Sequence, residues 1–562
     1  MLALLAACAG DGLVTPPSQA ACDGATQQVL SLARYEGTVI TGDAVHCTVL
    51  AGAGATYLVL PQLTGAALPY GGYGFRIGDP MAAPSVALRT GADLFNESAL
   101  DARGTDAQAL LDERLRTRER TMRPARPRGT PFPSSLRSLQ TAARLTGAPL
   151  DSLRRFSVLR TLEITPAWAA VDARLRFDGS RVAIYMDTLA AASLNDAELL
   201  SMGALYDGAL AARMFSTFGN GSDIDGNGKV ILLLTPTVNA MVTAAACEAS
   251  GYVRGFFYGH DLASLESTSN RAEVFYALVP DAAGTWSCPH TKADVLANLP
   301  PTFVHELQHM ISYGAHVLER GGANEEPWLN EGLSHVAEEM GARYWEEIYP
   351  APTGRTNPAQ LLPDSASPYL TPNLLYSYRF LAGSSAFSLL SCMPGSFCSQ
   401  SERGGVWLFL RWIADQKGEA VLRSLVQTAL TGRRNLEAVS GEDTAALLGD
   451  FAITASADSI EGVARSRIPA RYRLTTRNLR LIYQRLFEAF GFAGGVSRPY
   501  PVAAVALTAG SARTGTMRPG TFVTYRLATG NGTPAVQLRF AVPDGSPFPA
   551  STGAQVSVFR IE

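Results

Sequence analysis

The spacing of apolar and polar positions changes character along this chain. Up to about residue 100, short apolar runs broken by glycine, such as Thr56-Tyr57-Leu58-Val59-Leu60 and Tyr73-Gly74-Phe75-Arg76-Ile77, predict the strands of a small β-sandwich. From about residue 155 the pattern predicts a strand at Val182 to Met186, a long helix at Ala197 to Phe215, and strands at Val230 to Leu234 and Val274 to Val279. Phe303, Leu307, Met310 and Ile311 then share one face of a helix that Pro300 and Pro301 separate from the preceding segment, with Thr302 as its cap. Leu329, Leu333, Val336 and Met340 form the apolar stripe of a second helix, which Pro327 is well placed to start. Helical spacing continues beyond Gly404, at Val406 to Leu410 and Leu479 to Tyr483. Past about 497 strand alternation returns, in Thr521 to Leu527 and Val536 to Phe540, and predicts another small β module.

Composition adds boundaries. A Pro-Ser linker at about residues 14 to 20 precedes the first strands. Arg114, Arg116, Arg118, Arg120, Arg123, Arg126 and Arg128, with Pro124, Pro127, Pro131 and Pro133, mark an exposed helix end and linker, or a basic interaction patch. Cleavage there would make the N-terminal module a propeptide. The chain of 562 residues, 47% apolar and 17% charged, is an ordinary globular composition. Its net charge of −3 gives no reason to expect a nucleic-acid partner.

The chemistry concentrates in His305-Glu306-Leu307-Gln308-His309, a rare grouping in a chain with seven histidines. Residues four apart on a helix lie one above the other, so both imidazoles can hold one ion at about 2.0–2.1 Å. Glu306 points about a quarter-turn away, where it can take a proton from an activated water. A catalytic zinc needs a third ligand, and Glu331 in Trp328-Leu329-Asn330-Glu331-Gly332 is the best candidate, on a polar stripe with His335 and Glu338. His335 competes for that role but reads better as an outer partner that orients a ligand.

Together, His305 to Ile311 and Trp328 to Glu339 resemble the zinc-binding core of the gluzincin metallopeptidases, and most resemble the hyicolysin-like neutral metalloproteases of bacteria. The likeness extends more weakly to Phe218-Gly219, to Ser222 through Val230 and to Trp407 through Gln416, and covers roughly residues 155 to 495. It implies an α+β fold: a zincin-type catalytic domain with a mixed sheet lobe, an active-site helix and a helical second lobe, flanked by small β-sandwich modules. The expected domains are 1–20 (lipoprotein-type signal remnant and linker), 21–100 (small β domain), 101–154 (Arg/Pro-rich helix and linker), 155–495 (catalytic domain) and 496–562 (C-terminal β module).

The resemblance implies zinc held by His305, His309 and Glu331, with Glu306 as general base, which are the roles that the residue chemistry gives independently. The metzincin pattern fails, because Ser312 and Ala315 stand where its glycine and third histidine belong, and Gly314 and His316 are out of register. No Gly-x-Met-Glu-Asn element of the zinc aminopeptidases precedes His305, which favours an endopeptidase acting on protein or peptide substrates. Tyr376 or Tyr378 would stabilise the oxyanion. The strand Glu273 to Val279 is expected to be either a substrate-pairing edge or an ordinary core strand. The competing functions are a catalytically silent surface adhesin and a zinc hydrolase acting on a non-peptide bond.

Asp223, Asp225 and Asn227 alternate before Gly228 like the start of a calcium loop, although position twelve is Leu234; calcium or a polar turn would account for them. Leu4-Leu5-Ala6-Ala7-Cys8 resembles a bacterial lipobox, and implies export with a lipid anchor at Cys8. The run is short and lacks a basic n-region, which points to a start codon upstream. Setting Cys8 aside leaves six cysteines, expected as Cys22–Cys47, Cys247–Cys288 and Cys392–Cys398 bridges of an exported protein.

Overall fold

The strand-forming runs at the two ends of the chain interleave. In a computed structural model describing residues 27–66, 68–86, 106–122, 149–263, 266–349, 365–392, 398–457, 463–491 and 495–562, the N-terminal part supplies β1 (Gln28–Leu30), β2 (Gly37–Thr41), β3 (Thr48–Ala51), β4 (Thr56–Leu63), β5 (Tyr73–Gly78) and β6 (Pro84–Val86). Helix α1 (Ala107–Thr121) follows. The middle of the chain supplies β7 (Leu153–Leu159), β8 (Trp168–Asp178), β9 (Val182–Asp187), β10 (Val230–Leu234), β11 (Gly255–Phe257) and β12 (Val274–Ala277). The C-terminal part adds β13 (Val505–Thr508), β14 (Ala512–Met517), β15 (Tyr525–Ala528), β16 (Ala535–Ala541) and β17 (Ala554–Arg560).

Two sheets, ordered β1-β3-β16-β5-β14-β6 and β13-β15-β4-β17-β2, mix strands from both ends. The expected separate modules at 21–100 and 496–562 are therefore one sandwich. The reason lies in β4, which is buried at every position and needs a neighbour on each edge. β17 pairs with it along its length and β15 along its first half, both antiparallel. Tyr57, Val59, Phe75, Ile77, Leu527, Phe540 and Val558 fill the space between the sheets. Cleavage in the Arg/Pro-rich segment would leave β1 to β6 held in both sheets.

The remaining sheet is mixed, ordered β11-β12-β10-β9-β8-β7, with β12, β10 and β9 parallel and the outer strands antiparallel. The uninterrupted apolar run Val230 to Leu234 is buried throughout, as expected of a strand covered on both faces. The fold is thus α+β. Of the two readings of Glu273 to Val279, the ordinary core strand holds, because β12 is hydrogen-bonded to β10 on one side and β11 on the other. The edge belongs to β11.

Five helices carry or support the site: α2 (Lys292–Tyr313), α3 (Pro327–Ile348), α4 (Ser367–Ala382), α5 (Gln400–Lys417) and α6 (Thr444–Ala457). α2 begins well before Pro300 and Pro301 and runs through them, with Thr291 as its cap accepting from the Asp294 amide. This corrects the expected start at Thr302. A proline inside a helix costs about 3 kcal/mol, but Val295, Leu299, Phe303, Val304 and both prolines are buried. Apolar side chains gain about 1.5–3 kcal/mol each on burial, enough together to override the local preference. α3 starts at Pro327 as its sequence predicts. α6 carries the sandwich: Gln62 and Gln555 donate to the Leu448 and Ala445 carbonyls, and Ser557 to that of Gly449.

α1 is also not the exposed helix end that its arginines suggest. Arg116 is 4% exposed, and Leu111, Asp112, Leu115 and Glu119 are buried with it. Among the described residues, no helix is long and apolar enough to cross a membrane.

Candidate metal centre

α2 delivers His305, Glu306 and His309 one helical turn apart, all three buried. The imidazole centroids are 4.9 Å apart. α3 lies alongside and brings the Glu331 carboxylate to 3.6 Å from His305 Nε2 and 3.7 Å from His309 Nε2. A tetrahedral zinc with bonds of about 2.0–2.1 Å needs ligand atoms about 3.3 Å apart, so each imidazole stands within a few tenths of an ångström of that spacing from a Glu331 oxygen, and all three side chains offer donor atoms within 4.8 Å of one another. His305 Nε2 is buried with no hydrogen-bond partner among the described residues, while Glu331 Oε2 meets the Arg403 guanidinium at 3.0 Å. A buried nitrogen left unpaired costs about 1–3 kcal/mol, and a divalent cation bonded to it removes that cost. Two imidazoles and one carboxylate are a donor set suited to zinc.

Outer partners fix the ring orientations. His305 Nδ1 donates to Glu338 Oε1 at 2.8 Å, and the other oxygen of Glu338 accepts from His335 Nδ1 at 3.1 Å. His309 Nδ1 donates to Asn330 Oδ1 at 3.1 Å. Both Nε2 atoms are thereby turned toward Glu331. Ser334 donates to Gln308 Oε1 at 2.6 Å and ties the two helices together beside His309. His335 shares the Glu338 carboxylate with His305. Glu338 belongs to the polar stripe of α3, but its pairing with both histidines could be read only once α2 and α3 were packed.

Electrostatics suit a cation. Burial alone would raise the Glu331 carboxyl, but Arg403, 3.0 Å away, and the two imidazoles hold it well below the usual carboxylate range. Burial and the nearby Arg116 hold His309 well below the ordinary imidazole value, leaving it neutral. Burial opposes a charge on His305, yet the Glu331 and Glu338 carboxylates beside it hold it well above the ordinary value. A cation binding here therefore displaces a proton. Burial, reinforced by the Asp112 carboxylate, pushes Glu306 up to about 8.

A cavity of about 150 Å³ opens onto these groups, lined in part by His305, Glu306, His335, Tyr376, Arg254 and Arg403. Of the two candidate tyrosines, Tyr376 faces this space. Tyr378 is turned away, its hydroxyl donating to the Arg498 carbonyl and accepting from the Arg498 amide, both at 2.9 Å. Glycine spacing sets the cavity walls. A Cβ on Gly332 would fall 2.4 Å from Val406 Cγ1, and one on Gly404 would fall 2.3 Å from the Tyr376 carbonyl carbon. These close approaches seat α5 against α3 and α4, and carry Arg403 to Glu331. Arg403, Arg254 and Asp112 also line this cavity, and no local pattern signals them, since each arrives from a distant element.

No protein-family profile matches the chain. It is 26% identical over 214 residues to the neutral metalloprotease ShpI of Staphylococcus hyicus, a stretch covering 38% of this chain and 44% of that protein. The likeness is to a metalloprotease. The chain thus matches less than half the length of this relative.

The other expected features fall elsewhere. Cys247 is bonded to Cys288 and Cys392 to Cys398. Cys47 is also in a disulfide, while Cys22, Cys8 and the lipobox lie outside the described residues. In the loop before β10, Asp223 accepts from the Gly228 amide, Asp225 from the Asn227 amide and Asn227 from the Lys229 amide. Glu273 joins Asp223 and Asp225 there, with carboxylate oxygens within 4.8 Å of one another.

Proposed function

We propose that this chain is an exported zinc-dependent endopeptidase of the gluzincin type, with His305, His309 and Glu331 as ligands and Glu306 as general base. The supporting observation is the convergence of His305 Nε2, His309 Nε2 and Glu331 at 3.6 to 3.7 Å, with the histidines' Nδ1 atoms held by Glu338 and Asn330. Zinc would supply Lewis acidity that activates a water and polarises the scissile carbonyl. Glu306 takes a proton from the attacking water and passes it to the leaving amine; its raised pKa suits both tasks. Tyr376 donates a hydrogen bond to the developing oxyanion, and burial together with Glu338 keeps its phenol protonated. Main-chain groups of an extended peptide pair with the outer edge of β11.

Casein digestion by the purified protein, with and without a chelator and beside Glu306→Gln, tests this reading. Proteolysis that resists both chelation and the substitution removes it. Zinc bound at one equivalent with no proteolysis in any form favours the silent adhesin, and hydrolysis confined to non-peptide esters favours the third class. Export through a lipidated Cys8 is part of the same proposal, and unchanged fractionation of Cys8→Ser would remove that part. The Asp223 loop takes a structural calcium ion in this reading, seen as a calcium-dependent rise in Tm that Asp225→Asn abolishes; a Tm indifferent to calcium excludes it.

A further inference from the structure

Helix α1 enters the cleft in a way that the proposed mechanism does not use. Asp106 caps it, accepting from the Gln108 amide at 3.0 Å. One side, with Ala107, Leu111 and Leu115, is buried in the apolar core. Gln108, Asp112, Arg116 and Glu119 recur at helical spacing on another and meet the site.

Three of these side chains occupy the edge of β11. In an antiparallel pair, alternate residues direct their main-chain groups outward; within β11 these are Gly255 and Phe257, and Arg254 and Gly259 lie just beyond its range. Gln108 Nε2 donates to the Gly255 carbonyl at 2.8 Å, and its Oε1 accepts from the Arg254 amide at 2.8 Å. Arg116 Nη2 donates to the Phe257 carbonyl at 2.6 Å. Glu119 Oε1 accepts from the Gly259 amide at 2.7 Å. The Phe257 amide donates to Glu306 Oε2 at 2.9 Å. An extended substrate would need these same groups.

The fourth side chain stands beside His305 and Glu306. A carboxylate oxygen of Asp112 lies within 4.8 Å of donor atoms of both, with Asp112 3% exposed and 3.6 Å from the Arg403 guanidinium that pairs with Glu331. Asp112 is thus next to one proposed ligand and to the proposed general base. A catalytic zinc keeps one coordination position open for the attacking water.

We propose that Asp112 is a further ligand to the metal in this form of the chain and that α1 is an internal inhibitor, closing the open coordination position and covering the substrate-pairing edge. The inference rests on the zinc-peptidase reading above. Unlike release of the whole N-terminal module, displacement of α1 alone leaves the interleaved sandwich intact.

The test uses the full-length chain loaded with cobalt in place of zinc for spectroscopy, and with zinc for assay. Asp112→Ala should change the visible cobalt bands, since a carboxylate is replaced by water, and should raise cleavage of a quenched peptide at least tenfold per bound metal. Asp112→Asn, which keeps the side-chain volume and an acceptor for Gln108, should change both readouts in the same direction if the alanine variant folds poorly. Unchanged cobalt bands overturn the ligand assignment. Cleavage that is unchanged or lower overturns the inhibitory role and makes α1 a wall of the working site. These failures are distinct from failure of the zinc-peptidase reading, which would appear as Glu306→Gln leaving cleavage by Asp112→Ala unchanged.

Discussion

Replacing Glu338 by alanine should weaken zinc binding although Glu338 is not proposed to touch the metal. Its carboxylate accepts from His305 Nδ1 at 2.8 Å and from His335 Nδ1 at 3.1 Å, in a site where His305 is 6% exposed. Without it, His305 loses the partner that fixes its tautomer and aims Nε2 at Glu331. Loss of such an outer partner lowers metal affinity about 10–100-fold, which corresponds to about 1.4–2.7 kcal/mol. The two histidines do not lose equally. His309 relies on the neutral Asn330 at 3.1 Å, with the Ser334 hydroxyl also 3.1 Å from the same nitrogen, so Asn330→Ala removes a weaker and partly replaceable contact. Glu338→Gln should fall between wild type and alanine, because one amide oxygen can satisfy one imidazole N–H but not both. Competition against a chromophoric chelator at fixed pH gives the zinc Kd of each variant. The expected order of affinity is wild type, Asn330→Ala, Glu338→Gln, Glu338→Ala. A Glu338→Ala protein that is folded by circular dichroism and binds zinc with wild-type Kd would refute the reasoning.

Three further outcomes follow from particular contacts. Tyr376→Phe should lower kcat by about 10²–10³ with little change in KM, whereas Tyr378→Phe should leave kcat within about twofold and cost about 1 kcal/mol of stability; the reverse pattern in steady-state kinetics would exchange their roles. Gly404→Ala places a methyl group 2.3 Å from the Tyr376 carbonyl carbon and should cost about 1–3 kcal/mol in thermal unfolding through overpacking, while a wild-type Tm would mean that α4 and α5 can separate freely. Asp261 is buried, which pushes its carboxyl up to about 7 against the hydrogen bonds from Tyr276 and Asn270. The folded chain then holds this proton more tightly than the unfolded one, so its stabilising contribution is complete below about pH 4 and lost as the pH rises to about 7. Urea midpoints across that range should fall less in Asp261→Asn than in wild type, and equal slopes would exclude this assignment.

Much of the centre could be read locally because helical geometry is local. A spacing of four places His305 and His309 on one face whatever surrounds them, and Pro327 with the apolar stripe of α3 predicts a helix that presents Glu331. The same holds for β10, where five consecutive apolar residues match the burial found. Local rules failed where distant packing outweighed them. Two prolines predict a boundary before Thr302, yet the buried side chains on either side carry α2 through them. The arginines of α1 read as solvated, yet Arg116 is buried with its Nη2 paired to the Phe257 carbonyl and Glu119.

Sequence by itself determined the donor types, their helical spacing and the strand-rich character of both chain ends, since each depends on residues a few positions apart. Tertiary structure alone decided that the two ends form one sandwich, that β11 rather than β12 is the edge, and that Glu338 serves His305. It also decided that Asp112 stands beside His305 and Glu306. Those features join segments tens to hundreds of residues apart, and which partners meet depends on the burial of whole faces, a quantity no local pattern contains.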